Sequence, residues 1–114
     1  MKVVNLSNEN VLASDVKQAY SFLKRLKGLM FTKELGSGKA IHLKPCRSVH
    51  TFFMNYAIDV IYLGEGNKVV AINENLQPNK AGKHYKYARS VVELPVGTVS
   101  HSQTKVGDVL SINE

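Results

Sequence analysis

The segment Ile58–Leu63, with the sequence IDVIYL, places the strongest constraint on the fold. Five of its six residues are apolar, and they include the β-branched and aromatic types that favour strands. Because successive side chains of a strand point to opposite faces, this strand is apolar on both of its faces. A strand of this kind has to be covered on two sides. We therefore expect it near the centre of a layered, β-rich fold.

Other short segments with strand character surround this one and are separated by turn residues. They read KVVNL, NVLA, KAIHL, VHTFF, KVVAIN, RSVVELP and DVLSIN. Residues 64–67 (GEGN) predict a hairpin turn from IDVIYL into KVVAIN. Residues 54–57 predict another hairpin turn, which joins VHTFF to IDVIYL. The pattern indicates a mainly β fold, an antiparallel β-sandwich or barrel-like domain.

One amphipathic helix is predicted near the N-terminus, over about residues 14–31. Ser14 is a suitable N-cap, and positive charge accumulates in the last turns, where the helix dipole favours it. Apolar residues recur at helical spacing at Val16, Ala19, Tyr20, Leu23, Leu26 and Met30. The helix and strands together predict one domain over residues 1–114.

The composition is that of an ordinary globular protein. Of the 114 residues, 44% are hydrophobic and 21% are charged, so a disordered chain is not expected. The single Cys46 excludes an internal disulfide and fits a reducing compartment. The first residues lack the apolar core of a secretion signal, and no apolar run is long enough to span a bilayer. We therefore predict a cytoplasmic protein with no membrane partner.

The formal net charge of +6 raises the question of a polyanionic partner. Basic residues concentrate in two stretches, residues 24–47 and residues 80–89, and the second stretch contains Tyr85 and Tyr87. Such a distribution could bind nucleic acid or another polyanion. No nucleic-acid-binding motif accompanies it, so a solvated basic surface is favoured and a nucleic-acid partner is not expected.

The polar residues of the central segment are the first candidates for a site. In the predicted hairpin, His50 lies diagonally across from Asp59 on one apolar face, within reach of a hydrogen bond. An ionised carboxylate on such a face needs a partner, and Arg25 and Arg47 are alternatives to the histidine. A structural polar cluster is favoured over a chemical role.

Three chemical readings compete with this structural cluster. Cys46 and His50 could form a nucleophile and base, although four residues of extended chain separate them widely. His42, Cys46 and His50, with Asp59, have the side chains of a metal site but lack a compact ligand spacing. Apolar residues of the helix and the hairpin, such as Met30 and Met54, could line a ligand pocket. No cofactor is expected.

Several short motifs together resemble the family called domain of unknown function 192. They are RLKGLM at residues 25–30, CRSVHTFFM at residues 46–54 with IDV at residues 58–60, VELP with GT at residues 92–98, and VGD at residues 106–108. The resemblance implies a small, mainly β fold and no established reaction. Many members carry Trp-Met-Lys-Asn where this chain has FMNY. The matching positions are Arg25, Gly28, Met30, Phe53, Met54, Asp59, Glu93, Pro95 and Gly97.

These observations favour a binding or accessory module over an enzyme. We expect a small molecule or a protein as its partner. Arg25 is predicted to reach Asp59 or Glu93 and so to join the helix end to the sheet. An enzyme or metal protein that uses His50, Asp59 and Cys46 is the alternative. The candidate ligand-binding residues are Arg25, Met30, Arg47, His50, Met54, Asn55, Asp59 and Glu93.

Overall fold

The computed structural model describes residues 1–113 and confirms the mainly β fold. Every predicted strand segment except VHTFF forms a strand. The elements are β1 (Lys2–Asn5), β2 (Val11–Ala13), β3 (Asp15–Ala19), α1 (Phe22–Lys27), β4 (Lys39–Leu43), β5 (Ile58–Leu63), β6 (Val69–Leu76), β7 (Ser90–Pro95), α2 (Thr98–Ser102) and β8 (Leu110–Asn113), with a 3-10 turn at Glu65–Asn67 between β5 and β6.

The strands form two sheets that pack face to face. The larger sheet has the order β3-β4-β7-β5-β6, and the smaller one has the order β2-β1-β8. Only β3 and β4 pair in parallel; the other pairs that these sheets contain within residues 1–113 are antiparallel. One hydrophobic core fills the space between the sheets and includes Val3, Ile61, Val92 and Leu110. The smaller sheet therefore covers one face of β5, as the sequence required.

A second hydrophobic core covers the opposite face of the larger sheet. It contains Ile41, Val60 and Val91 from the sheet, together with residues of the irregular segments, such as Leu29 and Met54. All six residues of β5 are buried as a result. The central strand is thus covered by a sheet on one face and by irregular chain on the other.

The predicted helix over residues 14–31 is wrong in extent. Residues 15–19 form β3, which pairs in parallel with all of β4. The helix α1 begins later, and its N-cap is Ser21, whose Oγ accepts a hydrogen bond from the Lys24 backbone N–H at 3.2 Å. It ends at Lys27 because Gly28 adopts φ +47°. Pairing with β4 decided the conformation of a segment whose apolar spacing suits either a strand or a helix.

The predicted hairpin between VHTFF and IDVIYL is also wrong. β5 pairs with β7 and β6, while residues 49–51 turn towards residues 77–82. Thr51 fixes this arrangement through two hydrogen bonds. Its backbone N–H donates to the Lys80 carbonyl oxygen at 2.8 Å, and its hydroxyl donates to the Gln77 carbonyl oxygen at 2.6 Å. The hairpin between β5 and β6 is confirmed, but register shifts place Leu63 opposite Val69 rather than Lys68.

Candidate functional site

Asp59 is a buried structural carboxylate, and it does not pair with His50. It lies on the face of β5 that points between the sheets and is 1% exposed. Its two oxygens accept backbone N–H bonds from Asn75 at 2.9 Å, Gly97 at 3.1 Å and Val99 at 3.0 Å. Since two of these donors lie at the start of α2, Asp59 stabilises this turn of helix against the sheet. The predicted hydrogen bond between His50 and Asp59 is therefore wrong.

Glu93 lies on the opposite face of the larger sheet. It is the neighbour of Ile41 on one side and of Val60 on the other, and its side chain points into the second core. The residue is 3% exposed, and Oε1 has no hydrogen-bond partner within residues 1–113. Burial raises the pKa of this carboxyl to about 8. Glu93 is therefore mostly protonated at neutral pH, as catalytic and ligand-binding carboxyls often are.

A small cavity of about 50 Å³ extends from Glu93 towards the surface. Gly28 is part of its wall: a Cβ atom at this position would lie 3.7 Å from Glu93 Oε1. The glycine that ends α1 thus leaves room beside the carboxyl. The residues that line the cavity come from the end of α1, from β4 and β7, and from the segment after β4; they are Arg25, Lys27, Gly28, Leu29, Met30, Leu43, Cys46, Ser48, Val49, His50 and Glu93.

Arg25 lines this cavity but binds backbone carbonyls rather than a carboxylate. Its Nη1 donates to the Tyr20 carbonyl oxygen at 3.1 Å and, more weakly, to that of Lys44 at 3.4 Å. The single salt bridge in the described part of the chain joins Lys105 to Asp108. The predicted contact of Arg25 with Asp59 or Glu93 is therefore wrong, although Arg25 and Glu93 do share one cavity.

Cys46 also lines the cavity, but its thiol does not have the properties of a nucleophile. Burial raises the thiol pKa, and Sγ donates a hydrogen bond to the Ser48 carbonyl oxygen at 3.0 Å. The ring of His50 stacks on Phe52, with 5.3 Å between centroids, and its Nδ1 accepts the Phe52 backbone N–H at 3.2 Å. A high thiol pKa disfavours the thiolate that cysteine catalysis requires.

The candidate metal-ligating residues do not assemble into a cluster. His42 lies on the face of β4 opposite to that of Ile41 and Glu93. Its Nδ1 is 2.7 Å from the Tyr20 hydroxyl, and burial, with a smaller effect of Lys44, lowers its pKa to about 4. Among residues 1–113, no three His, Cys, Asp or Glu side chains come close enough together to hold a metal ion.

The remaining candidate residues lie away from the cavity. Met54 is buried in the second core, and Asn55 is exposed. Arg47 lines a separate, open cleft of about 340 Å³. A still wider cleft of about 670 Å³ lies next to α2, but its lining residues are mostly small or weakly polar and include one titratable side chain, His101. We therefore place the candidate site at Glu93.

The sequence indicated some of this site and missed the rest. Arg25, Met30, His50 and Glu93 were predicted site residues, and they do meet at the cavity, with Cys46 beside them. Leu43 and Ser48 were missed because nothing in their local sequence marks them. Gly28 is among the positions that match the family, and a glycine directly after a basic helical stretch predicts a C-cap with positive φ.

Comparison with known proteins now identifies the family. The model of the family DUF192, described as "Uncharacterized ACR, COG1430", matches residues 3–112. The chain belongs to the DUF192 family. A UPF0127 protein of Pyrococcus furiosus is 32% identical over 114 residues, which are 97% of each chain. A UPF0127 protein of Thermococcus kodakarensis is 31% identical over 116 residues, 96% of this chain and 71% of the relative.

Two solved structures show that this DUF192 chain shares its fold with bacterial proteins. A protein of unknown function from Novosphingobium aromaticivorans has a TM-score of 0.83 at 22% identity, and the match covers 97% of this chain and 82% of that one. A candidate transcription regulator from Sinorhizobium meliloti has a TM-score of 0.81 at 19% identity, with coverages of 96% and 89%. At these identities the likeness concerns the fold alone. The DUF192 family itself has no established function, so the site has to supply the argument for one.

Proposed function

We propose that this DUF192 chain is a binding module that holds one end of a small molecule in the Glu93 cavity. The observation that supports this proposal is the unpartnered Oε1 of Glu93, a buried acceptor beside open space. A buried polar atom without a hydrogen bond costs about 1–3 kcal/mol, and a bound ligand group would recover this energy. Glycine at position 28 keeps the space open.

The dimensions and charges of the cavity restrict the ligand. A volume of about 50 Å³ accommodates one hydroxymethyl-sized group, because a water molecule occupies about 30 Å³ in the liquid. The wall also carries the cationic side chains of Arg25 and Lys27, and these favour a negative charge on the rest of the ligand. The site therefore suits a small hydroxy acid, with its hydroxyl on Glu93 and its carboxylate near Arg25.

Two small acids of similar shape test this assignment by NMR titration. Glycolate carries the hydroxyl, and propionate replaces it with a methyl group. We expect glycolate to shift the backbone amide signals of Gly28 and Ser48 saturably and to bind at least tenfold more tightly than propionate. Equal affinities, or shifts elsewhere on the protein, would refute the proposal.

Variants separate the proposed contact of the ligand hydroxyl with Glu93 from that of the ligand carboxylate with Arg25. Glu93→Met removes the acceptor while keeping the length of the side chain, so it should abolish the preference for glycolate over propionate. Arg25→Gln should weaken both acids alike, because each carries one carboxylate. The exposed Glu65→Gln serves as a matched control and should change neither affinity. A preference for glycolate that persists in Glu93→Met would show that the hydroxyl binds elsewhere.

A polyanion binder is the second candidate function, and the cleft beside Arg47 favours it. Arg47, Lys68, Lys86 and Arg89 line this cleft together with the exposed ring of Tyr87, and Glu65 is the one acidic side chain in its wall. Cations that surround an exposed aromatic ring suit phosphate groups and a stacked base. Retention on heparin that falls with salt, and that falls further in Arg47→Gln/Arg89→Gln, would support this role. A protein that is not retained on heparin in the absence of added salt would exclude the polyanion-binding role.

A further inference from the structure

Five large apolar side chains are exposed on α1, on the turn that follows it, and on the loop at Phe53 that is hydrogen-bonded to this turn. We call this set the apolar rim. Its members are between 52% and 73% exposed, and they are Phe22, Leu23, Leu26, Phe31 and Phe53. Single exposed apolar residues are normal on proteins, but a cluster of large ones marks an interaction surface.

The helix α1 contributes three members of the apolar rim as one stripe. At 100° per residue, Phe22, Leu26 and Leu23 span about 100° of the helix circumference. No residue of α1 is buried, so this apolar stripe faces solvent. A helix of six residues gains little stability by itself, and an amphipathic helix normally turns its apolar stripe to a core. α1 therefore turns its apolar stripe to solvent, whereas most amphipathic helices turn it to the protein core.

Phe31 and Phe53 complete the apolar rim in a strained conformation. Both residues adopt left-handed backbone angles, with φ values of 63° and 62°. This region is unfavourable for bulky residues, and strain of this kind concentrates at functional sites. The Phe31 backbone N–H donates to the Phe53 carbonyl oxygen at 2.9 Å, and the ring centroids are 5.2 Å apart. The backbone thus holds two phenylalanine rings together at the surface.

Positive charge accompanies the apolar rim. Lys24, Lys27 and Lys33 are exposed on α1 and just after it, and Glu34 is the one acidic residue between Ser21 and Leu43. Lysine is depleted from protein–protein interfaces, which makes a protein partner the less suitable occupant. A second copy of this chain would place the same lysines against each other. Phenylalanine and leucine beside lysine are, in contrast, the composition of segments that lie in a membrane interface.

We propose that the apolar rim docks on the surface of an anionic lipid bilayer. The phenylalanine and leucine side chains enter the boundary between headgroups and acyl chains, while the lysines face the anionic headgroups. Neither α-helix within residues 1–113 has the length and hydrophobicity of a membrane-crossing segment, and surface docking requires none. The sequence predicted no membrane partner from the lack of such a segment, whereas this proposal rests on the exposed side chains.

Co-sedimentation with vesicles tests the proposal on the untagged protein. Vesicles of equal parts phosphatidylcholine and phosphatidylglycerol should bind the protein at least tenfold more tightly than vesicles of phosphatidylcholine alone. Binding should weaken with salt, because part of it is electrostatic. No binding to the anionic vesicles at low salt would overturn the proposal, and an acidic protein would then be the better candidate occupant.

Matched pairs of variants assign the binding to the apolar rim. Leu23→Ser/Leu26→Ser should lower vesicle affinity at least tenfold, while Val96→Ser/Val106→Ser, which also removes two exposed apolar side chains, should leave it unchanged. Losses that are equal in the two variants would overturn the assignment.

The charges and the strained loop are tested in the same way. Lys24→Gln/Lys33→Gln should weaken binding several-fold more than Lys83→Gln/Lys86→Gln, although each variant removes two positive charges.

Phe53→Asn should weaken binding while the protein stays folded by circular dichroism, because asparagine tolerates the left-handed region. Wild-type vesicle affinity in Phe53→Asn would overturn the role of this loop. These readouts are independent of the Glu93 cavity, since none of the five variants changes a residue that lines it.

Discussion

The buried carboxyl of Glu93 should make the stability of the protein fall as the pH rises from about 4.5 to about 8. Burial raises the folded-state pKa to about 8 from an ordinary value of 4.5. Between these values the folded chain holds a proton on Glu93 that the unfolded chain has released. The free energy of unfolding therefore decreases with pH in this window. Below pH 4.5 the contribution is fully present, and above pH 8 it is lost.

The size of this effect follows from the difference between the two pKa values. Each pKa unit corresponds to about 1.4 kcal/mol, so the difference between 4.5 and about 8 amounts to about 5 kcal/mol. Relaxation of the surrounding residues around the ionised carboxyl reduces this value. We expect a measured effect of about 3–5 kcal/mol, which is a large fraction of the stability of a small domain.

Urea denaturation at a series of pH values between 4.5 and 9 measures this effect in the wild type and in Glu93→Gln. Glutamine has nearly the shape of glutamic acid and does not ionise, so subtracting the two profiles removes the contributions of the other titrating groups. The difference should favour Glu93→Gln increasingly with pH and should level off above pH 8. The exposed Glu65→Gln should follow the wild type. Parallel profiles for the wild type and Glu93→Gln would show that the Glu93 carboxyl ionises normally.

Three further changes and one reactivity measurement test other parts of the structure. Asp59→Asn should lower the free energy of unfolding by about 3 kcal/mol in urea denaturation, because a neutral amide binds the start of α2 more weakly than a carboxylate does. Gly64→Ala should cost about 1–3 kcal/mol by the same method, since a Cβ at this position would lie 3.0 Å from the Tyr87 carbonyl oxygen. Relative to His42→Leu, the wild type should lose up to about 3 kcal/mol as the pH falls from 6.5 to 4, because the pKa of His42 is lowered to about 4 when the chain folds. Subtracting the two profiles removes the opposite contribution of Glu93, which both proteins share. Cys46 should react with an aromatic disulfide reagent at pH 7 at least tenfold more slowly in the folded protein than in urea, because burial raises its thiol pKa. Equal rates in the two conditions would show that the thiol is freely accessible.

Most of the strands could be predicted because their signal is local. KAIHL and IDVIYL coincide with β4 and β5 residue for residue, since an apolar, β-branched run between turn residues has few alternatives. Residues 15–19 show the limit of this reasoning. Val16 and Ala19 are three residues apart, which suits a helix, and the strand arises only because β4 is available as a parallel partner. Periodicity within one segment does not contain this information.

Several residues of the candidate site could be predicted from the sequence, but the contacts between them could not. Glu93 and Arg25 line one cavity because the end of α1 reaches the larger sheet. A helix predicted over residues 14–31 does not reveal this contact. Asp59 looked like a partner for His50 because the hairpin was predicted in the wrong place. A carboxylate that binds backbone N–H groups leaves no mark in the sequence, because its donors at residues 75, 97 and 99 carry no side-chain signal.

The pairing of β1 with β8 has a consequence for the time course of folding. These neighbouring strands are separated by about a hundred residues of chain, and closing a loop of that length costs about 4 kcal/mol of entropy. β2 pairs with β1, so the smaller sheet is incomplete until the last strand emerges during synthesis. Until then β1 lacks one of its two neighbouring strands. We therefore expect refolding on the millisecond-to-second scale that non-local β-sheets show, with the larger sheet forming first.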